Sequence, residues 1–333
     1  MQPIISGKHK YIGLEGDTLM NKREIIERFL DSGTSSQYIP AGFFLHFDES
    51  YHRGQAAIDK HLEYFNFTGM DFVKIQSENT FPFVAEIEKP EDWIKMPFHG
   101  ADFYEDQINI AKGLVDAAGK DAMVIMTLYS PYMCAEEAVG KEVLIQHLRE
   151  NPDQVKRGIE IVTESLMLFV KGCIDVGIDG FFHSTEGGET HRFEGSPVFD
   201  ECIKPYDLAL MEEINRACEF NILHVCDYEG RYTDLAPFVD YPGHVVNVGL
   251  ELGSKTLTGN DVAELFGRPF MGGLERLDVI STGSTSEVKD AVLAVCQEVS
   301  GDFILGADCT LRSDANWENI KTAIDTAHTF TKG

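Results

Sequence analysis

Eight short runs of β-branched and aromatic residues recur along the chain, each entered from a polar or Gly/Pro boundary: Ile39 to Phe47, Asp71 to Ser77, Ala122 to Tyr129, Gly180 to Thr185, Asn221 to Asp227, His244 to Leu252, Pro269 to Leu274 and Asp302 to Cys309. Amphipathic stretches lie between most of them. In Ser286 to Val299, for example, Val288, Ala291, Val292 and Val295 fall at i, i+3, i+4 and i+7, on one face of a helix. Strand and helix alternating in this way predict an α/β protein with a parallel sheet joined by right-handed crossovers, and eight strands close most simply as a (β/α)8 TIM barrel. An open doubly wound sheet is the competitor. Against it, no G-x-G-x-x-G follows the first run and no G-x-x-x-x-G-K-[ST] occurs. The expected organisation is one barrel domain over residues 1–333. Residues 1–37 form its N-terminal helical cap, with the cap helix at Asn21 to Asp31. The stretch Ala85 to Asp106, with Pro90 and Pro97, reads as a long excursion after the second strand.

Composition narrows the function classes. The 333 residues are 43% hydrophobic and 25% charged, which suits a folded globular chain with a sizeable core. A formal charge of −27 repels phosphates and anionic lipid, so neither nucleic acid nor a membrane surface is an expected partner. No stretch approaches the roughly 18 apolar residues of a membrane span, and Met1 to Gly16 has no apolar signal core. A cytoplasmic location is expected. Seven cysteines, an odd number without dense spacing, argue against a disulfide framework. Each is then either a small buried hydrophobe or a working thiolate. Cys173, Cys218 and Cys296 fall among apolar helical neighbours and read as core.

In a barrel, reacting groups belong at the C-terminal ends of the strands. The fifth run ends Leu223-His224-Val225-Cys226-Asp227, and the eighth ends Gly306-Ala307-Asp308-Cys309. His224 and Cys226 are two apart on a strand, so both side chains share one face. Cys309 can reach the same point across the barrel mouth. A His, Cys, Cys set suits zinc and leaves one coordination position for substrate. Spacing alone is equally satisfied by a buried histidine and two buried thiols.

Longer stretches carry a family likeness. Phe270-Met271-Gly272-Gly273-Leu274-Glu275, Ser281-Thr282-Gly283-Ser284-Thr285-Ser286-Glu287-Val288, Gly306-Ala307-Asp308-Cys309-Thr310 and Asn316-Trp317-Glu318-Asn319-Ile320 resemble the C-terminal third of the uroporphyrinogen decarboxylase superfamily. Gly177-Ile178-Asp179-Gly180-Phe181-Phe182 and Met70-Asp71-Phe72-Val73-Lys74-Ile75 are similar to it as well. The resemblance implies a (β/α)8 barrel over roughly residues 20 to 330.

Two chemistries occur in that superfamily. The decarboxylases carry an arginine-rich stretch after the first strand for the substrate carboxylates. Here the equivalent stretch is His46-Phe47-Asp48-Glu49-Ser50-Tyr51-His52-Arg53, which is acidic and is expected to repel a porphyrinogen. Glu78 stands where their catalytic aspartate would be, and Cys309 near their late histidine. The other branch comprises zinc methyltransferases serving corrinoids and thiol acceptors, marked by H-x-C and a later C. The resemblance to it implies His224, Cys226 and Cys309 as zinc ligands. The more distant cobalamin-independent methionine synthases add a glutamate, which implies Glu251 as a resting fourth ligand with Glu229 as its competitor.

The expected activity is therefore zinc-dependent methyl transfer between a methylated corrinoid co-substrate and a small acceptor, with a thiol as first choice. A metal-free decarboxylase-like lyase is the alternative, and a binding protein without turnover is a third class. The absence of a D-x-H-x-x-G motif means a corrinoid would arrive free or on a corrinoid protein. Glu78, Glu186, Glu189, His183 and Tyr129, near strand ends, are expected to line the pocket. Arg276 is expected to pair with an anionic acceptor or in a salt bridge, and Trp317 to pack.

Overall fold

Strands form in seven of the eight predicted hydrophobic runs. A computed structural model describes residues 11–12, 19–31, 38–193, 196–228 and 230–331, so part of the expected cap lies outside the described residues. The strands are β1 (Tyr11–Ile12), β2 (Leu19–Met20), β3 (Phe72–Ile75), β4 (Met123–Tyr129), β5 (Gly180–Thr185), β6 (Ile222–Val225), β7 (Val245–Val248), β8 (Glu251–Leu252), β9 (Lys255–Thr256), β10 (Phe270–Leu274) and β11 (Phe303–Ala307). Seven of them make one curled parallel sheet in the order β11-β10-β7-β6-β5-β4-β3. The pairs β1–β2 and β8–β9 are antiparallel. Helices alternate with the sheet strands. Asn21, Thr258 and Ser284 fix helix starts through capping boxes with Glu24, Asp261 and Glu287.

Alternation along each strand sorts side chains into two cores. Val73, Val124, Phe181, Leu223, Val246 and Phe303 face the helices, whereas Phe72, Ile125, Phe182, Ile222, Val245 and Ile304 fill the interior. The cap helix Lys22–Leu30 adds Ile26 and Phe29 to the interior cluster and so plugs the end of the sheet where the strands begin. The excursion after β3 holds two 3-10 turns, Pro90–Lys95 and Ala101–Tyr104. Its Trp93 is fully buried and donates from Nε1 to His147 Nδ1 at 3.0 Å.

The first expected strand differs from the prediction. Residues 39–47 lie between the sheet's two edges but meet the β11 side through isolated parallel bridges, Ala41 with Leu305 in β11 and Leu45 with Leu311 beyond its end. Pro40 has no N–H to give. On the β3 side, Asp71 N donates to Ala41 O at 3.0 Å, but the Ala41 N–H goes to the Asp71 carboxylate at 2.7 Å. A side chain thus stands where a ladder bond would be. The same fully buried carboxylate accepts from Tyr38 Oη at 2.7 Å and pairs with His328 Nε2 at 2.8 Å. One group ties the residue after the cap, residues 39–47, the start of β3 and the last helix, Trp317–Thr329. Among the described residues no helix is long and apolar enough to cross a membrane.

Burial alone would push the Asp71 carboxyl up, but His328, Lys22 and the Ala41 N–H together hold it below the usual carboxylate range. A depressed folded pKa means its contribution is present above the unfolded value of about 3.9 and is lost as pH falls through the folded value. We therefore expect Asp71→Asn to cost about 3–5 kcal/mol at pH 7, as breaking a buried pair does. Its stability should also fall less steeply than that of wild type below about pH 4. Urea melts across pH check both; a constant gap between the two proteins down to the acid limit would remove Asp71 from this role.

Candidate metal centre

β6 delivers His224 and, one residue beyond its end, Cys226 to the same interior face. Cys309 arrives from the turn after β11. Ligand atoms of the three residues all lie within 4.8 Å of one another, and the two sulfurs are 3.9 Å apart. That is far beyond a disulfide bond, about 2.0 Å. It matches the roughly 3.8 Å between two sulfurs that each sit about 2.3 Å from a tetrahedral zinc. The Nδ1 of His224 is buried without a hydrogen-bond partner. All three residues are 9% exposed or less. Donor type, spacing and the orphaned nitrogen fit a zinc ion.

Electrostatics agree with the donor set. The hydrogen bond from Cys226, together with the His224 charge, holds the Cys309 thiol well below its ordinary range despite burial, while Cys226 is held up. Burial would lower the His224 pKa, but the Cys309 charge and hydrogen bond raise it. Cys309 and His224 thus each favour the charged form of the other. Asp227 and Asp308 flank it. Burial raises both carboxyls, Asp308 to about 6. Asp308 Oδ1 accepts the backbone N–H groups of Cys309 at 2.9 Å and Arg276 at 2.8 Å, which fixes the turn carrying the third ligand. Gly249 leaves the space Asp227 occupies, since a Cβ there would lie 2.5 Å from Asp227 Oδ2.

The three residues line a cavity of about 790 Å³ at the C-terminal ends of the strands. Tyr129, Glu186 and Arg276 line it, and Arg276 stacks over the exposed Tyr228 ring at 4.6 Å. Burial raises the Tyr129 pKa, so its hydroxyl stays protonated. His183 is placed elsewhere. It sits on the helix-facing side of β5, in register with Leu128 and Leu223, because it is one residue out of phase with Phe182 and Ser184. Burial pushes its pKa down to about 3, and neither ring nitrogen has a partner.

Glu78 is outside the cavity wall and holds two histidines, His46 Nδ1 at 3.0 Å and His52 Nε2 at 3.6 Å. Glu251 is not brought to the sulfurs. It lies in the β8–β9 hairpin, accepting from Thr256 Oγ1 at 2.9 Å and facing Arg231 at 3.7 Å. Glu229 lies outside the described residues. The cavity-lining carboxylate that interacts with the Cys226 thiol is Glu186.

The acidic stretch after residue 46 also needs correction. His46 lines the cavity, but Asp48, Glu49 and Arg53 are exposed and turned outward, with Asp48 capping a 3-10 turn through Ser50. They cannot screen a substrate inside. Trp317 packs on Tyr64 at 5.0 Å, and Cys173, Cys218 and Cys296 are buried, all as expected.

Sequence reasoning missed two groups. Lys74 on β3 reaches the cavity from the interior face, its ammonium 4.6 Å from the ring centres of both Phe44 and Phe182. Burial lowers its pKa to about 7, against the opposing pull of Cys309 and Glu78. Arg192, 2% exposed, is ringed by Glu189 at 3.1 Å, Glu136 at 3.2 Å, Glu186 at 3.4 Å and Tyr132 Oη at 2.8 Å. Glu189 therefore belongs to this ion cluster rather than to the cavity wall. Burial and neighbouring Glu189 push Glu186 up to about 7. Removing the cation by Arg192→Met should cost about 3–5 kcal/mol, as expected for a buried charge left unpaired. Adding Glu189→Gln should recover part of that loss, and chemical denaturation of the single and double variants would measure it.

Three comparisons bear on ancestry and fold. Residues 67–330 match the family model described as uroporphyrinogen decarboxylase (URO-D). No curated protein matches the sequence. Among solved structures, a methyltransferase from Methanosarcina mazei superposes with a TM-score of 0.72 at 13% identity, covering 92% of this chain and 98% of that one. A B12-independent methionine synthase from Shewanella sp. W3-18-1, in complex with selenomethionine, superposes with a TM-score of 0.50 at 11% identity, covering 88% and 95%. At such identities these likenesses concern the fold. The match over residues 67–330, together with a curled parallel sheet of the expected strand order, means that the chain belongs to the uroporphyrinogen decarboxylase family.

Proposed function

We propose that this protein is a zinc-dependent methyltransferase, moving a methyl group between a methylated corrinoid and a small thiol acceptor inside a closed (β/α)8 barrel. The observation that carries the reading is the convergence of His224, Cys226 and Cys309 in one cavity. The neighbours named for methyl chemistry agree with it in fold. Segment 39–47, held by its bridges to β11 and by Asp71, is the eighth stave of the barrel.

His224, Cys226 and Cys309 would hold the ion. Zinc bound there would take the proton from a coordinating thiol and leave a nucleophilic sulfur at neutral pH. The chain's own groups do the rest. Asp308 fixes the Cys309 turn through two backbone N–H groups. Glu186, beside Cys226 with a carboxyl pushed up to about 7, is placed to receive or return a proton near neutrality. The aromatic faces of Phe182 and Tyr129 form apolar wall, which limits water around the reacting methyl group. Porphyrinogen decarboxylation fits less well. Among the described residues the cavity carries Lys74, Lys141, Arg276 and Arg312 against Glu136, Glu137, Glu186 and Asp314, too few unmatched cations for a substrate with many carboxylates.

Purified protein should carry about one zinc per chain. Cys226→Ser and Cys309→Ser should lose most of it by mass spectrometry while remaining folded, and full occupancy in both variants would overturn the metal assignment. Methylcobalamin with a panel of small thiols should show cobalt–carbon cleavage in the zinc-loaded protein. Conversion of uroporphyrinogen to coproporphyrinogen by zinc-stripped protein would instead make the family's lyase chemistry the activity.

A further inference from the structure

Segment 39–47 ends in an imidazole that the metal site leaves unused. Phe44 belongs to the interior core and Leu45 to the helix-facing one, so alternation turns His46 inward, and it lines the cavity. Leu45 bridges Leu311, two residues beyond Cys309, and the Leu311 N–H donates to Phe44 O at 2.7 Å. His46 therefore stands in the cavity wall between the turn that carries Cys309 and the residues that follow β3.

One of its two nitrogens is engaged. Nδ1 meets Glu78 Oε1 at 3.0 Å, and among the described residues that is the ring's one hydrogen bond. A carboxylate only accepts, so Nδ1 carries the proton and Nε2 is left with its lone pair. Glu78 is itself fixed. Its backbone N–H and that of Asn79 donate to the side-chain oxygen of Gln107, on the helix Glu105–Ala118, at 3.2 and 2.9 Å. His52, whose Nε2 donates to Phe47 O at 2.8 Å, flanks the second Glu78 oxygen at 3.6 Å. A carboxylate held in this way selects the tautomer of its histidine and stabilises the imidazolium that forms when the other nitrogen takes a proton.

The other bases of the cavity are less open to water. Lys74 and Glu186 are 5% and 4% exposed, and Glu137 is engaged by the Phe81 N–H at 2.8 Å. The Tyr129 hydroxyl stays protonated and can only give a proton. The His46 side chain is 40% exposed, so it belongs to the cavity and to bulk solvent at once.

We infer that His46 is a catalytic base and Glu78 its positioning residue: Nε2 takes the proton of the acceptor thiol and passes it to water. This rests on the proposed methyl transfer and adds the fate of the acceptor's proton. The S–H bond breaks with its electron pair left on sulfur, and the proton forms an N–H bond at Nε2 while Glu78 balances the new charge. Loss of that proton to solvent restores the neutral ring. The methyl group then bonds to sulfur as its bond to cobalt breaks, the pair staying on cobalt, and no further proton moves.

His46→Asn is the informative variant, because its amide N–H can still reach Glu78 while the basic nitrogen is gone. Calorimetric titration of the zinc-loaded full chain with 2-mercaptoethanol, in buffers of different ionisation enthalpy around neutral pH, counts the protons released per thiol bound. Wild type should release fewer than His46→Asn, which should approach one. Methyl transfer from methylcobalamin to the same thiol should fall roughly 10²-fold in His46→Asn at unchanged zinc content. Imidazole in solution should restore part of the rate to His46→Ala without speeding wild type. Nitrogen-15 spectra of neutral wild type should show the His46 proton on Nδ1, and Glu78→Met should mix the tautomers; circular dichroism confirms that each variant is folded. Equal proton counts and equal rates in wild type and zinc-loaded His46→Asn would overturn the assignment and leave methyl transfer standing, as would a wild-type His46 protonated on Nε2 alone. No thiol binding by zinc-loaded wild type would remove the methyl-transfer reading and the base with it.

Discussion

A buried carboxylate replaces a strand pairing in this fold, and much of the molecule is arranged around it. Parallel strands close into a ring only if the last edge finds the first, and here the linking segment makes isolated bridges rather than a ladder. Asp71 supplies the missing acceptor to Ala41 and at the same time gathers Tyr38 and His328. The cost of desolvating that charge is offset because every oxygen has a partner. Its position, where the strands begin, is the end of such folds that serves stability, while the opposite end carries chemistry.

Strand periodicity decides which residues take part in that chemistry. His224 and Cys226 are two apart and share a face; His183, a single residue out of step with Ser184, is turned into the helix layer. Asp48 and Glu49 show the same lesson outside a strand, since a local turn directs them to solvent. Seven of the eight strand positions, the helices at Asn21 to Asp31 and Ser286 to Val299, and the His, Cys, Cys group were legible in sequence because each rests on a short-range period or on a set of residue types that chemistry restricts. Gly180, in one of the family-like stretches, has an equally plain reason: a Cβ there would lie 1.7 Å from Phe220 O.

What could not be read had long-range causes. Glu251 ends up in a hairpin with Thr256 and Arg231, a destination set by loop geometry rather than by its place after a strand. Arg192 and its three carboxylates assemble from separate segments, and no local pattern announces an ion cluster. Lys74 was nearer to being legible. It shares the inward face with Phe72 and Gln76 and is the one polar residue of the strand Phe72–Ile75, and a lysine at an interior position of a buried strand has to answer to something in the pocket.

The plug of Ile26 and Phe29 has a kinetic meaning as well as a structural one. With apolar side chains filling the end where the strands begin, traffic to the sulfurs passes through the mouth ringed by Tyr228, Arg276 and Leu277. Among the described residues, the proposed reaction between a small molecule and a bulky one then has one doorway. The small partner must already be seated when the large one covers the opening, and it leaves only after the large one has withdrawn. Under the proposed methyl transfer, a compulsory order of binding would follow from a helix that meets neither reactant.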